Sequence, residues 1–265
     1  MAKPAAKEAK VRDFYRVLKE AWGLQHWWPA RTRFEVVLGA YLAQNTSWTN
    51  VRYALANLRR VGLLAVSAIR QAPLAELEQL IRPAGYFRQK AQRLKTFITF
   101  LDARYQGSLN RMFAQPTAQL RQQLLELNGV GPETADSILL YAGDHPVFVV
   151  DAYTGRVVER HRLLPGKPSY EDMRKLFEQA LAKLPEVKSE SVTEADALEL
   201  TTVSRLETPP KSCQTPSRRS AARRTALTQV YNEMHALLVG VGKKYCLKAA
   251  PKCDGCPLQV FLDAE

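Results

Sequence analysis

The sequence predicts an all-α protein built as two helical lobes. Apolar residues recur at helical spacing over most of residues 10–185, and short joints marked by Gly or Pro separate the periodic segments. The one strand-like run, residues 145–155, is so short that we expect a buried connector instead. The chain has 265 residues, of which 46% are hydrophobic, enough for one large core or two modest ones.

The predicted helical segments fall into two lobes. A first lobe of six helices is predicted over residues 30–142, and residues 1–29 together with 143–265 are predicted to form the second. Residues 186–224 almost lack aromatic side chains and end in Pro, Ser and Arg, so we expect a disordered insertion there. The predicted helices of the first lobe lie at 34–44, 50–62, 72–85, 89–105, 117–127 and 132–142.

The stretch "LNGVGPETADSILLYA", residues 127–142, predicts two helices joined by a tight hairpin. Gly129 and Gly131 are suited to the positive φ of such a reversal, and Pro132 fits the first position of the second helix. Successive backbone N–H groups of the hairpin would then point at one spot in solvent and form an anion site. The alternative is an ordinary turn whose glycines serve geometry alone.

The charge of the chain favours an anionic partner. There are 38 Lys and Arg against 26 Asp and Glu, a net charge of +12, and only +1 of it falls within 186–224. The excess therefore belongs to the part of the chain that folds, as in proteins that bind polyanions. No stretch of eighteen apolar residues and no apolar leader is present, so we expect a cytoplasmic protein without a membrane partner.

Asp151 is the first candidate for chemistry. It follows the apolar run "VFVV" and begins a helical pattern, so it would lie partly buried at a helix N-terminus. One interpretation is a helix cap. The other is a catalytic carboxylate that stabilises a positive sugar or activates water, because the chain returns toward the hairpin at this point. His235 in the later helix lies near this region or simply packs in the helix.

The residues from the hairpin to Asp151 resemble a known signature. "LNGVGPETADSILLYAGDHPVFVVDAYTGRV" is similar to the helix-hairpin-helix, Gly/Pro-rich loop and aspartate of the endonuclease III superfamily of DNA glycosylases. The resemblance extends from about Lys19 to Pro257, interrupted by 186–224. It implies flipping of a damaged base out of double-stranded DNA and cleavage of its N-glycosidic bond, with Asp151 as the catalytic residue. The DNA contacts that it implies are Gln44, Leu127, Gly129, Val130, Gly131 and Thr134. Gln44, in "LAQNT", resembles the superfamily's polar side chain that fills the space left by the flipped base; taken alone, it is an ordinary glutamine at a helix end.

Residue 133 bears on the type of reaction. Superfamily members that also cut the strand carry lysine at this position, and its amine forms a Schiff base with the sugar. Here the residue is Glu133, which cannot form an imine. The resemblance therefore implies loss of β-lyase activity.

The front of the chain is similar to one branch of that superfamily. "HWWPARTRFEVVLGAYLAQNTSWTNVRYALANL" resembles the bacterial 3-methyladenine DNA glycosylase III branch, which also has Glu in the hairpin. That resemblance implies a base pocket formed by Trp27, Trp28, Pro29, Trp48 and Glu133. Alkylated purines are cationic, and a desolvated cation against an indole face is stabilised by about 2 kcal/mol. The alternative is that Trp27 and Trp28 belong to the core.

Three cysteines resemble the start of the superfamily's [4Fe-4S] loop. Cys246, Cys253 and Cys256 reproduce its Cys-x6-Cys-x2-Cys spacing, but Leu262 occupies the position of the fourth cysteine. Cubane clusters normally take four cysteines. Three of four ligands are thus present, and Cys213 or Asp263 would have to supply the last.

These patterns together predict a monomeric, nucleoid-associated glycosylase of base excision repair. The expected reaction is hydrolysis of the N-glycosidic bond of a damaged, alkylated purine without strand cleavage. Two alternatives stay open: an endonuclease III-type enzyme that acts on oxidised pyrimidines with lyase activity, and a helix-hairpin-helix protein that only binds DNA.

Overall fold

The protein is all-α, as predicted. The computed structural model describes residues 4–188 and 224–262, and among these no residue belongs to a β-strand. Residues 147–150 are buried and belong to no helix or strand, as expected, but residues 152–155 of the predicted connector are the start of a helix. The α-helices are α1 Pro4–Trp22, α2 Arg33–Leu42, α3 Trp48–Arg60, α4 Val66–Gln71, α5 Leu74–Leu80, α6 Phe87–Tyr105, α7 Leu109–Phe113, α8 Thr117–Leu125, α9 Pro132–Ser137, α10 Ala152–Arg160, α11 Tyr170–Leu181, α12 Pro185–Lys188 and α13 Ala226–Lys244.

One compact unit runs from Ala30 to His145. Its central helix is α2, which is buried from Phe34 to Leu42 and whose first turn is fixed by the Thr32 side chain accepting from the Glu35 N–H. Helix α6 packs against α2 through Tyr41 and Phe97, whose ring centroids are 5.9 Å apart. The end of α2 is therefore held by the middle of α6.

The hairpin lies in this unit between α8 and α9. Pro132 occupies the first turn of α9, as expected, and the second arm continues as a π-helical turn over Ile138–Ala142. Gly129 has φ +76°, but Gly131 is extended with φ −90°, so the positive φ predicted for Gly131 is wrong. One left-handed residue is sufficient to reverse the chain here.

A buried ion pair joins the two arms. Arg121 of α8 donates from Nε to Oδ1 of Asp136 at 2.7 Å and from Nη2 to Oδ2 at 3.1 Å, and Asp136 is fully buried. A bidentate pair between arginine and carboxylate fixes orientation as well as distance. The geometry of the hairpin is thus set by the arms beneath it.

The other compact unit combines the described residues up to Pro29 with those from Pro146 onward. Its centre is α13, which is buried from Val230 to Gly242 and packs against α10. A side chain at Gly242 would overlap Tyr153 of α10, so this glycine permits the close approach of the two helices. The site residues of this unit lie on α13 and at the start of α10.

The predicted insertion is only partly described. Residues 189–223, including Cys213, and residues 263–265, including Asp263, lie outside the described residues. Residues 186–188 are helical as the end of α12, so the prediction of disorder is wrong for them. Glu186 forms an ion pair with Lys19 at 3.6 Å, which holds this turn. Among the described residues, none of the helices combines the length and apolar character needed to cross a bilayer.

Candidate functional site

Asp151 lies at the start of α10, and its two carboxylate oxygens face different partners. Its Oδ1 accepts from the Thr154 N–H at 2.8 Å and from the Thr154 hydroxyl at 3.0 Å, which caps α10. Its Oδ2 lies 3.6 Å from Nε2 of His235. The capping interpretation is therefore correct for one oxygen, and the second oxygen faces a different partner.

The environment keeps this carboxylate ionised. Burial alone would raise the pKa of Asp151, but the adjacent His235 imidazole and the hydrogen bonds from Thr154 outweigh it, so the pKa lies below the usual range. His235 is itself buried on α13 and packs its ring edge against Phe148 at a centroid distance of 6.5 Å. At neutral pH the site therefore carries a fixed negative charge in a largely desolvated position.

Trp27 and Trp28 are buried and pack edge to face, with ring centroids 5.7 Å apart. One face of Trp27 already receives a cation, because Nζ of Lys243 lies 5.6 Å from the ring centroid. Neighbouring protein atoms lower the pKa of Lys243 by desolvation although its side chain remains exposed, and Asp151 acts in the opposite direction. The Lys243 amine therefore loses its proton more easily than an ordinary lysine amine.

Glu233 holds the segment that leads into the tryptophans. Its Oε2 accepts from the Gln25 N–H at 2.6 Å, and its Oε1 accepts from the Gln229 side chain at 2.9 Å. Burial raises the pKa of Glu233, an effect that the hydrogen bonds from Gln25 and His26 partly oppose. Helix α13 thus contacts three parts of the site, through Glu233, His235 and Lys243.

The hairpin residues predicted to contact DNA differ in exposure. Gly131 and Glu133 are exposed, and Leu127 and Gly129 are half-buried. Val130 and Thr134 are buried. The Thr134 hydroxyl accepts a hydrogen bond from Gln44 at 2.9 Å.

The predicted base-pocket residues fall into both units. Trp27, Trp28 and Pro29 belong to the same unit as Asp151, whereas Trp48 and Glu133 belong to the unit from Ala30 to His145. Trp48 begins α3 and is half-buried. The structure therefore brings Trp27, Lys243, His235 and Asp151 together around α13, and it brings Gln44, Gly129 and Thr134 together at the hairpin.

The hairpin and Asp151 are the two marks of a known family. Residues 38–183 match the HhH-GPD superfamily of base excision DNA repair proteins, a range that includes both marks. A Methanocaldococcus jannaschii protein provisionally named a DNA repair glycosylase is 39% identical over 253 residues, which cover 95% of this chain and 94% of that protein. The chain belongs to the HhH-GPD superfamily.

The chain is also similar to other DNA repair proteins. The chloroplastic endonuclease III homolog 1 of Arabidopsis thaliana is 25% identical over 89% of this chain, which spans 50% of that protein. The Helicobacter pylori 3-methyladenine DNA glycosylase, solved with bound 1,N6-ethenoadenine, aligns with a TM-score of 0.66 at 25% identity, covering 90% of this chain and 97% of that one. A trapped covalent intermediate of endonuclease III with DNA aligns with a TM-score of 0.67 at 19% identity over 99% and 96% of the two chains, a likeness of fold alone.

The cysteine loop of this HhH-GPD protein is held by arginines of α10. Arg160 donates to Sγ of Cys246 at 3.0 Å and to the Leu247 carbonyl at 2.7 Å, and Arg156 donates to the Cys246 carbonyl at 2.9 Å. Arg160 and Leu262 line one small cavity together with Cys246, Cys253 and Cys256. Burial raises the pKa of Cys256, and the other two cysteines add to this.

These cysteines do not make a complete cluster site. Within residues 4–188 and 224–262, no three or more Cys, His, Asp or Glu side chains are arranged to hold a metal ion. The fourth position is the apolar Leu262. The donor set in the described part of the chain therefore does not fit a cluster with four cysteine ligands.

Several site residues were not identified from the sequence. Glu233 contacts Gln25 across 208 positions, and Arg93 contacts Gln44 across 49 positions, so no local pattern relates them. The only signal was a buried acid and a histidine within the apolar run "NEMHALLVGVG" of α13. Helix α13 thus supplies polar and charged contacts to the candidate site in addition to its packing in the core.

Proposed function

We propose that this HhH-GPD protein is a DNA glycosylase that hydrolyses the N-glycosidic bond of alkylated purines and leaves the abasic strand intact. The observation that carries the proposal is Asp151, a desolvated carboxylate whose second oxygen faces His235 at 3.6 Å. Double-stranded DNA with a damaged base is the proposed substrate. We also propose that the protein acts as a monomer in the cytoplasm, on the nucleoid.

The carboxylate would act on the sugar. As the bond to the base breaks, positive charge develops on the deoxyribose, and a fixed negative charge in a poorly solvated place stabilises that charge most strongly. The same oxygen can accept a proton from the attacking water. Thr154 keeps Oδ1 occupied as a helix cap, so Oδ2 is the oxygen that we assign to the reaction.

The choice of an alkylated purine rests on the aromatic residues. Trp27 receives the Lys243 ammonium on its face in this structure, and a cationic purine would be attracted to that face for the same reason. Lys243 would have to leave the ring when the base enters. The similarity to the H. pylori 3-methyladenine DNA glycosylase supports the same substrate class.

The absence of strand cleavage rests on residue 133. Glu133 is exposed on α9 and has no amine, so it cannot form the Schiff base that precedes β-elimination.

A second candidate function has one observation in its favour. Lys243 has a pKa lowered by desolvation and interacts with Asp151, so its amine could attack the sugar and make the enzyme bifunctional.

No step of the proposed reaction involves an iron–sulfur cluster. The [4Fe-4S] cluster expected from the cysteine spacing would need a fourth ligand from beyond the described residues, where Cys213 and Asp263 lie. The cysteine loop, residues 246–262, contains none of the residues that we assign to the reaction. Its proposed part is structural.

Replacing Asp151 by asparagine tests the proposal. Asn caps helices as well as Asp does, so Asp151→Asn should keep the fold and DNA binding. Base release should fall by at least a thousandfold, about 4 kcal/mol of transition-state stabilisation, because the charge is gone. The surface variant Asp13→Asn makes the same chemical change elsewhere and should be as active as wild type. Activity of Asp151→Asn within tenfold of wild type would show that this carboxylate is not catalytic.

A further inference from the structure

Helix α6 presents two cationic side chains to the end of α2. Lys90 is buried, and its Nζ donates to the carbonyl of Leu42 at 2.9 Å and to that of Ala84 at 2.8 Å. Arg93 lies three residues later, hence on the same side of the helix, and its Nη1 donates to Oε1 of Gln44 at 2.8 Å. The chain that leaves α2 is therefore fixed from α6 on both sides of Ala43.

The amide of Gln44 is engaged at both ends. Its Nε2 donates to the carbonyl of Gly129 at 2.9 Å and to the hydroxyl of Thr134 at 2.9 Å, while Oε1 accepts from Arg93. Guanidinium groups only donate and carbonyl oxygens only accept. Arg93 on one side and Gly129 on the other therefore leave a single consistent orientation for this amide.

Arg93 also touches the hairpin directly. A Cβ added at Gly129 would overlap Nε and Cζ of Arg93, so the guanidinium lies against the hairpin backbone where only glycine leaves room. Gly129 is the residue with the left-handed φ of +76°. One side chain thus contacts both Gln44 and the turn of the hairpin.

The charge of Arg93 is not neutralised by an acid. No Asp or Glu in the described part of the chain forms an ion pair with it, and its guanidinium donates to the neutral amide of Gln44. Removal of the guanidinium would take away the hydrogen bond to Oε1 of Gln44, so that the amide is held through Nε2 alone, and would also remove a positive charge from the hairpin. Both effects fall on the surface that we assign to DNA.

We propose that Arg93 is a positioning residue, which fixes the orientation of Gln44 and joins it to the hairpin so that the two meet DNA as one unit. The proposal rests on the assignment of Gln44 to the space left by the flipped base. It explains why a half-buried glutamine has three hydrogen-bond partners before any DNA is present. Gln44 then loses little further freedom when it enters the duplex.

A double-mutant cycle on DNA binding tests this without relying on base release. The readout is the ratio of affinities for a duplex with an uncleavable tetrahydrofuran abasic site and for the same duplex without it. We expect Gln44→Ala and Arg93→Met each to lower this ratio by about tenfold, and the double variant to lower it no further. Arg93→Lys keeps a charged donor, so its affinity ratio should lie between those of wild type and Arg93→Met. If Arg93 were purely structural, the ratio would instead fall in proportion to the loss of thermal stability in each variant.

The control is Arg88→Met, which removes an exposed charge from the same helix at a residue that contacts Phe87. It should weaken binding to both duplexes alike and leave the ratio unchanged. Losses that multiply to about a hundredfold in the double variant would show that the two residues act independently. An unchanged ratio in Arg93→Met would also overturn the proposal. Neither result depends on whether the protein releases alkylated purines, so the two proposals can fail separately.

Discussion

Asp151 combines a structural bond and a proposed chemical role in one side chain. Oδ1 accepts from Thr154 and fixes the rotamer, and this bond directs Oδ2 toward His235. A cap is usually replaceable because it contributes only about 1 kcal/mol to stability. Here the cap also determines which oxygen is left for the sugar. The competing interpretations of this residue from sequence are therefore compatible.

The pH dependence of base release should report the interaction between Asp151 and His235. Because the pKa of Asp151 is depressed, its ionised form persists as the pH falls, and its contribution to activity and stability disappears only below the ordinary value of about 3.8. In His235→Gln, burial would prevail and raise the pKa, so the acid limb should move upward. The measurement is kcat/KM against pH for both proteins. An acid limb that stays in place in His235→Gln would mean that the imidazole does not act on this carboxylate.

At the scale of elements, the two glycines of the hairpin differ in backbone conformation and in the space around them. Gly129 needs a positive φ and lies against Arg93, whereas Gly131 is extended, and a Cβ there meets nothing within 4 Å. The sequence suggested the same role for both, because a glycine required for conformation and one required for access look alike in a motif. Because a side chain fits at Gly131 without strain, a substitution there can test DNA binding by the hairpin separately from its folding.

Gly131→Val should weaken DNA binding without weakening the fold. The protein has room for the side chain, so thermal stability should be near that of wild type, while a phosphate could no longer approach the backbone N–H groups. Affinity should fall alike for all sequences, measured by titration at low salt. Gly129→Ala is the matched control and should lower thermal stability because of strain and contact with Arg93. Unchanged affinity in Gly131→Val would remove the hairpin from the binding surface.

The cysteine loop is the element in which the spacing of residues and the structure differ. Arg156 and Arg160 of α10 supply hydrogen bonds to the loop, and Leu262 occupies the fourth position. We therefore expect the purified protein to contain no stoichiometric iron and sulfide, and Arg160→Leu to lower its thermal stability. Iron and sulfide analysis checks the first expectation and a melting curve the second. About four irons and four sulfides per chain would contradict this account of the loop.

At the scale of the whole molecule, the sequence was sufficient for the features that are local. Most of the helices, the hairpin and the cap at Asp151 follow from periodicity, Gly and Pro placement, or a short motif, but the short helices α4 and α7 were not among the six predicted for residues 30–142. The contacts of Glu233 with Gln25 and of Arg93 with Gln44 join residues that are distant along the chain. Such pairs depend on how helices pack, so no pattern within one helix could predict them. The φ of Gly131 was missed for the same reason, since the arms beneath the hairpin determine it.

The reaction products distinguish a hydrolytic enzyme from one that also cuts the strand. A duplex with one 3-methylated or 7-methylated purine, and a matched duplex with one oxidised pyrimidine, would be incubated with wild type and with Lys243→Gln, with and without borohydride. We predict release of the alkylated purine, a strand that is cut only after alkali, and no covalent adduct with either protein, because Glu133 has no amine and Lys243 remains outside the reaction. Strand cleavage without alkali, together with a borohydride adduct that is lost in Lys243→Gln, would contradict this account and show a bifunctional enzyme.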